Sequence, residues 1–85
     1  MVKVIAKAIK VIDGYAVHIF SRKHSGSHDN KYVKVLKNGT IFAKYLLLES
    51  RWESLSKTVP KNTVKWILGN VQYILEEINK LDQEG

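Results

Sequence analysis

Cysteine is absent from this chain of 85 residues. Its absence removes disulfides, thiolate metal sites, thiol nucleophiles and iron–sulfur clusters together. No apolar run reaches the ~18 residues that a membrane-spanning helix needs. The stretch over residues 2–12 is apolar, but Lys3, Lys7 and Lys10 interrupt it, so it is not a signal-peptide core. The expectation is a soluble cytoplasmic protein with no membrane partner. Arginine is scarce too, since Arg22 and Arg51 are the only two among fourteen Lys and Arg. Sequence-specific base reading leans on arginine forks, so this cation set suits non-specific phosphate contact or plain solubility.

Acidic residues are missing chiefly from the first half. Residues 1–44 carry nine Lys and Arg against two Asp, net +7, and residues 45–85 carry five against six, net −1. A basic surface concentrated in this way favours a polyanion, or an acidic protein partner. The apolar fraction of 45% and charged fraction of 26% are those of a globular chain, which argues against disorder and collagen. A chain this short buries roughly 60–65% of its unfolded surface, enough for one domain with one small core.

Two dipeptides organise the first half. Asp13-Gly14 separates the Val- and Ile-rich run 2–12 from 15–21, and Asn38-Gly39 separates 32–37 from 40–46. Glycine accepts the positive φ of a tight hairpin turn, so each dipeptide between apolar runs predicts a two-residue hairpin. In the second strand Tyr15, Val17 and Ile19 share one face, and Ala16, His18 and Phe20 the other. The second turn pairs Leu36 with Ile41, Val35 with Phe42 and Val33 with Lys44, and sets Tyr32 across from Tyr45. After a linker over residues 47–61, in which Glu49–Ser56 is expected as a short helical turn and which Pro60 closes, comes a helix over 62–81 with Asn62 or Thr63 as its N-cap. Val64, Ile67, Leu68, Val71, Ile74, Leu75, Ile78 and Leu81 recur along it at helical spacing. Gly69 costs this helix about 1 kcal/mol relative to alanine, unless a closely packed neighbour requires it. The expected fold is α+β: a four-stranded antiparallel meander over residues 2–46 with one C-terminal helix on one face.

His24 and His28 flank Ser25, Gly26 and Ser27 in a loop that runs from Arg22 to Lys31 without an aliphatic or aromatic residue. Two imidazoles beside Asp29 are a partial metal site, and a pair of histidines can also cleave RNA by acid–base catalysis. The plainer reading is a solvated loop, and the loop's composition favours it. No cofactor or metal is expected, and whether the protein is an enzyme stays open. Arg22, Lys23, Lys31, Lys34, Lys37 and Lys44 are the candidate nucleic-acid contacts. Lysines and tyrosines on one side of a sheet are how several single-strand binders work.

Asp13-Gly14-Tyr15, the strand ending at His18, Ile19 and Phe20, the His24–His28 loop, Tyr32 to Val35 and Asn38-Gly39 together resemble a small prokaryotic family. That family is a domain of unknown function with a His-x-Pro-Pro-His-x-His loop, often encoded in toxin–antitoxin pairs. Its closing helix, Trp-Ile-x-x-Asn-x-x-x-Leu, is matched by Trp66, Ile67, Asn70 and the Ile74-Leu75 pair. Gly26 and Ser27 replace the prolines and Asn30 stands at the third histidine. The resemblance spans residues 11–81 and supports the fold more than any activity. The leading functional expectation is a nucleic-acid-associated module, RNA ahead of DNA, as in a toxin–antitoxin component. The alternative is a non-catalytic protein-interaction subunit of a larger assembly.

Overall fold

The computed structural model describes residues 6–20 and 31–84. Five strands form one antiparallel sheet in chain order: β1 Ala6–Ile12, β2 Tyr15–Phe20, β3 Tyr32–Lys37, β4 Thr40–Leu46 and β5 Arg51–Leu55. Two helices follow, α1 Lys61–Gly69 and α2 Val71–Glu84. The class is the expected α+β, with one more strand and one more helix than the sequence suggested.

Both predicted turns form for the predicted reason. Asp13 and Gly14 have φ of 52° and 82°, and Asn38 and Gly39 have 52° and 80°. Two consecutive positive φ values are the signature of the turn whose twist matches its flanking strands. A third left-handed residue, Ser50 at φ 54°, closes the four-residue connection between Leu46 and Arg51, which are paired. Residues 51–55, expected within a linker as part of a short helical turn over 49–56, are instead β5, because that connection folds them back antiparallel onto β4.

One face of the sheet is the core face. Tyr15, Val17, Ile19, Val33, Val35, Ala43 and Tyr45 are buried there with Ile67, Ile74, Ile78 and Leu81 of the helices. The strand alternation and the helical stripe therefore meet as expected. The stripe is not continuous, however. The helix breaks at Asn70, whose φ is −129°, and the Asn70 side chain donates 2.8 Å to the carbonyl of Trp66. The amide thereby satisfies an acceptor at the end of α1. Trp66 and Tyr73 pack edge to face across the break, centroids 6.2 Å apart. Leu68, counted in the stripe, is 49% exposed. Beyond its chain neighbours and its own helix backbone, no atom lies within 4 Å of where a Cβ on Gly69 would stand, so close packing does not account for that glycine.

The start of α1 also differs from expectation. Pro60 is the N-cap residue, and Asn62 and Thr63 serve tertiary contacts. Asn62 Nδ2 donates 3.3 Å to Asp13 Oδ2, and Thr63 Oγ1 donates 3.3 Å to the Ile12 carbonyl. Both bonds fasten the first turn of α1 to the β1–β2 turn. None of the described helices is long and apolar enough to cross a membrane.

Candidate nucleic-acid interface

The core face and the opposite face are separated by side-chain alternation, so each candidate residue's side follows from its register. Ala8, His18, Lys34, Lys44 and Ser54 align as one row across all five strands. His18 precedes Ile19 and Lys34 precedes Val35, both core residues, so this row lies on the face away from the described helices. Tyr32 and Phe20 lie beside it on the same face, their rings stacked at 5.6 Å with an interplanar angle of 28°. Strands β1 to β4 contain no acidic residue.

The cations sit on the aromatic rings. Lys34 Nζ is 5.0 Å from the Phe20 centroid and 5.6 Å from that of Tyr32, and Lys44 Nζ is 4.5 Å from Tyr32. Cation–π attraction at such partly exposed sites is worth about 0.5–1 kcal/mol. That is little more than thermal energy, so it biases the ammonium groups toward the rings and leaves them free to meet another anion. Lys44 is additionally drawn to Glu53 of β5, at 3.2 Å. His18, Phe20, Tyr32, Lys34 and Lys44 are all partly exposed. The Phe20–Tyr32 contact also strengthens the sheet as an aromatic pair across strands, by about 0.2–1 kcal/mol, whereas Lys34 and Lys44 stand directly opposite each other as like charges, which opposes pairing.

Not every candidate lysine joins this group. Lys31 Nζ donates 2.9 Å to Asn79 Oδ1 of α2, which ties it to the helical side. Lys37 Nζ lies 5.0 Å from the ring of Tyr15, a core residue, so it caps the rim of the core. Arg22, Lys23, His24 and His28 lie outside the described residues. Among the described residues, no three His, Asp or Glu side chains cluster in a way that could hold a metal ion.

The expected opposition of Tyr32 and Tyr45 does not occur. Leu36 pairs with Ile41 as the turn predicts, but Val35 then pairs with Ala43 and Val33 with Tyr45. A bulge at Phe42 inserts one residue into β4, and a slip of one residue exchanges the faces. Tyr32 therefore faces Leu46, and Tyr45 is turned into the core. There its ring packs on Trp52 with centroids 4.7 Å apart. The aromatic neighbour of Tyr32 on the open face is Phe20. Phe20 and His18 were readable as sharing a face with each other, but their approach to Tyr32 and Lys34 depends on the β2–β3 register. The loop between those strands gives no turn signal that would fix it.

Neither a family model nor a curated protein nor a solved structure matches this chain.

Proposed function

We propose that the protein is a small basic module that binds single-stranded nucleic acid, RNA ahead of DNA, across the helix-free face of its sheet. In this reading it serves as one component of a toxin–antitoxin pair. The observation that carries the proposal is the Phe20–Tyr32 stack with Lys34 and Lys44 over its rings, on strands that carry no acidic residue. An aromatic platform beside cations suits splayed bases and the phosphates that join them, and it does so with little sequence preference. The scarcity of arginine agrees with that tolerance.

The preference for RNA draws on His18, which lies in register with Lys34 on the same face. A neutral imidazole both donates and accepts a hydrogen bond, and a ribose 2′-hydroxyl is the group that distinguishes RNA from DNA. The proposal concerns binding; the cleavage that His24 and His28 would carry depends on residues outside those described.

The test is fluorescence anisotropy with labelled single-stranded RNA at low salt, for the native protein and for Tyr32→Leu. Loss of one base-stacking partner should weaken binding about fivefold or more, since such stacking is worth about 1–3 kcal/mol. An absence of binding to RNA and DNA at low salt would refute the proposal.

A further inference from the structure

A second surface lies at the other end of β5. Where that strand ends and α1 begins, a cleft of about 380 Å³ opens between Leu55, Val59 and Val64, with Lys57, Lys61 and Lys65 around it. Its size is at the lower end of the roughly 300–1,000 Å³ of small-ligand sites, which suits a single apolar group rather than a large cofactor. Leu55 is 44% exposed although it is a large aliphatic side chain. No acidic residue lines the cleft.

Several of the described cations are held in ion pairs. Lys7 and Lys80 pair with Glu77, Lys44 with Glu53 and Arg51 with Glu49. Lys57, Lys61 and Lys65 form no ion pair or hydrogen bond through their side chains among the described residues. Residues 45–85 have net charge −1, and three of their five cations gather at this one apolar opening. The charge is therefore local, and it is not the overflow of a generally basic half.

The cleft adjoins an edge of the sheet. β5 is the terminal strand, and among the described residues no strand pairs with its outer side. A bare strand edge presents unpaired backbone donors and acceptors, to which an extended peptide can add. Alternate side chains of the added strand point to the same side, so one of them can reach the opening beside Leu55.

We propose that this cleft docks an acidic peptide segment, which extends along the free edge of β5, seats one apolar side chain among Leu55, Val59 and Val64, and places its carboxylates on Lys57, Lys61 and Lys65. Charge complementarity selects the partner and the apolar anchor supplies the contact that salt does not screen. This surface is separate from the Phe20–Tyr32 platform, and the inference stands whether or not that platform binds RNA.

The probes are short fluorescein-labelled peptides: one alternating glutamate and leucine, one of glutamate alone, and one alternating lysine and leucine. Binding is read by anisotropy, and its location by backbone amide shifts. The alternating acidic peptide should bind saturably and shift amides of β5 and the start of α1. The triple variant Lys57→Ala/Lys61→Ala/Lys65→Ala, its fold checked by circular dichroism, should bind it about tenfold more weakly, as three exposed ion pairs would give. The all-glutamate and lysine–leucine peptides should bind far less. The proposal is overturned if the alternating acidic peptide does not bind, if the triple variant binds it equally, or if the all-glutamate peptide binds as tightly. It is overturned as well if the triple variant loses single-stranded RNA binding and keeps peptide binding, because the lysines would then belong to a nucleic-acid surface.

Discussion

Lys44 of β4 reaches Glu53 of β5 at 3.2 Å while its ammonium group stays 4.5 Å from the centre of the Tyr32 ring. The pair is partly exposed, so its contribution to stability is small, about 0–1 kcal/mol. On the proposed binding of a polyanion its effect would be larger in kind, because Glu53 would compete with phosphate for Lys44. Glu53→Gln should raise affinity for single-stranded RNA about twofold and change stability by less than about 0.5 kcal/mol. Paired anisotropy and urea titrations check this; an unchanged or lowered affinity would remove Lys44 from the binding surface.

Thr63 is fully buried and gives its hydroxyl to the Ile12 carbonyl, joining the first turn of α1 to the first hairpin. Thr63→Val keeps the volume and removes the donor. The carbonyl is then left without that partner, at an expected cost of about 1–2 kcal/mol. A denaturation midpoint equal to that of the native protein would mean that the bond does not hold the two elements together.

Ile67 is wholly buried, whereas Leu75 is only partly so. An unpaired charge in the core costs several kcal/mol, comparable with the entire stability of a small domain. Ile67→Asp should therefore abolish the native circular dichroism, and Leu75→Asp should lower the melting temperature with part of the fold retained. Native behaviour of Ile67→Asp would contradict the packing of α1 on the sheet.

Much of this architecture was legible from local chemistry. Asp13-Gly14 and Asn38-Gly39 announce their turns because few other dipeptides accept two positive φ values. β5 was hidden for the converse reason: the left-handed residue before it is Ser50, not glycine, and Trp52 is the one residue of that strand packed on the core. The break at Asn70 left no trace in the apolar spacing, since Ile67 and Ile74 remain on the buried side of both helices. The bulge at Phe42 has no signal in a two-residue alternation, and it decided which tyrosine belongs to the open face. The candidate site was accordingly half legible. Tyr32 and Lys34 share a face by simple alternation, but Lys44 joins them only through the bulge at Phe42, and Phe20 and His18 only through the strand pairing of β2 with β3.

Glu77 lies between two cations, with Lys80 at 3.2 Å and Lys7 at 3.6 Å, and its side chain is 13% exposed. Hydrogen bonding from Lys80 is the main cause that holds its carboxyl below the ordinary value; desolvation opposes this, and the charges of Lys80 and Lys7 add to it. A carboxylate with a depressed folded pKa stabilises the fold above its ordinary titration range, and the contribution is lost as pH falls through the folded value. The same bond raises Lys80 above its ordinary value, so that contribution is complete below the usual lysine range and is lost as pH rises through the folded one. Glu77→Gln should therefore narrow the difference in urea midpoint between neutral and acid pH. An equal difference in both proteins would show that Glu77 does not couple folding to protons.

The central claim is that phosphates meet Lys34 and Lys44 on the open face of the sheet, and not the lysines of the helical side. The salt dependence of single-stranded RNA binding tests it most directly, because each phosphate contact contributes about 0.7 to the slope of log affinity against log salt. Lys34→Ala/Lys44→Ala should make the slope shallower by about 1.4, the loss of two contacts. Lys31→Ala, whose ammonium group is bonded to Asn79, should leave it unchanged. A slope that survives the double variant, or one that Lys31→Ala flattens as much, would contradict the account.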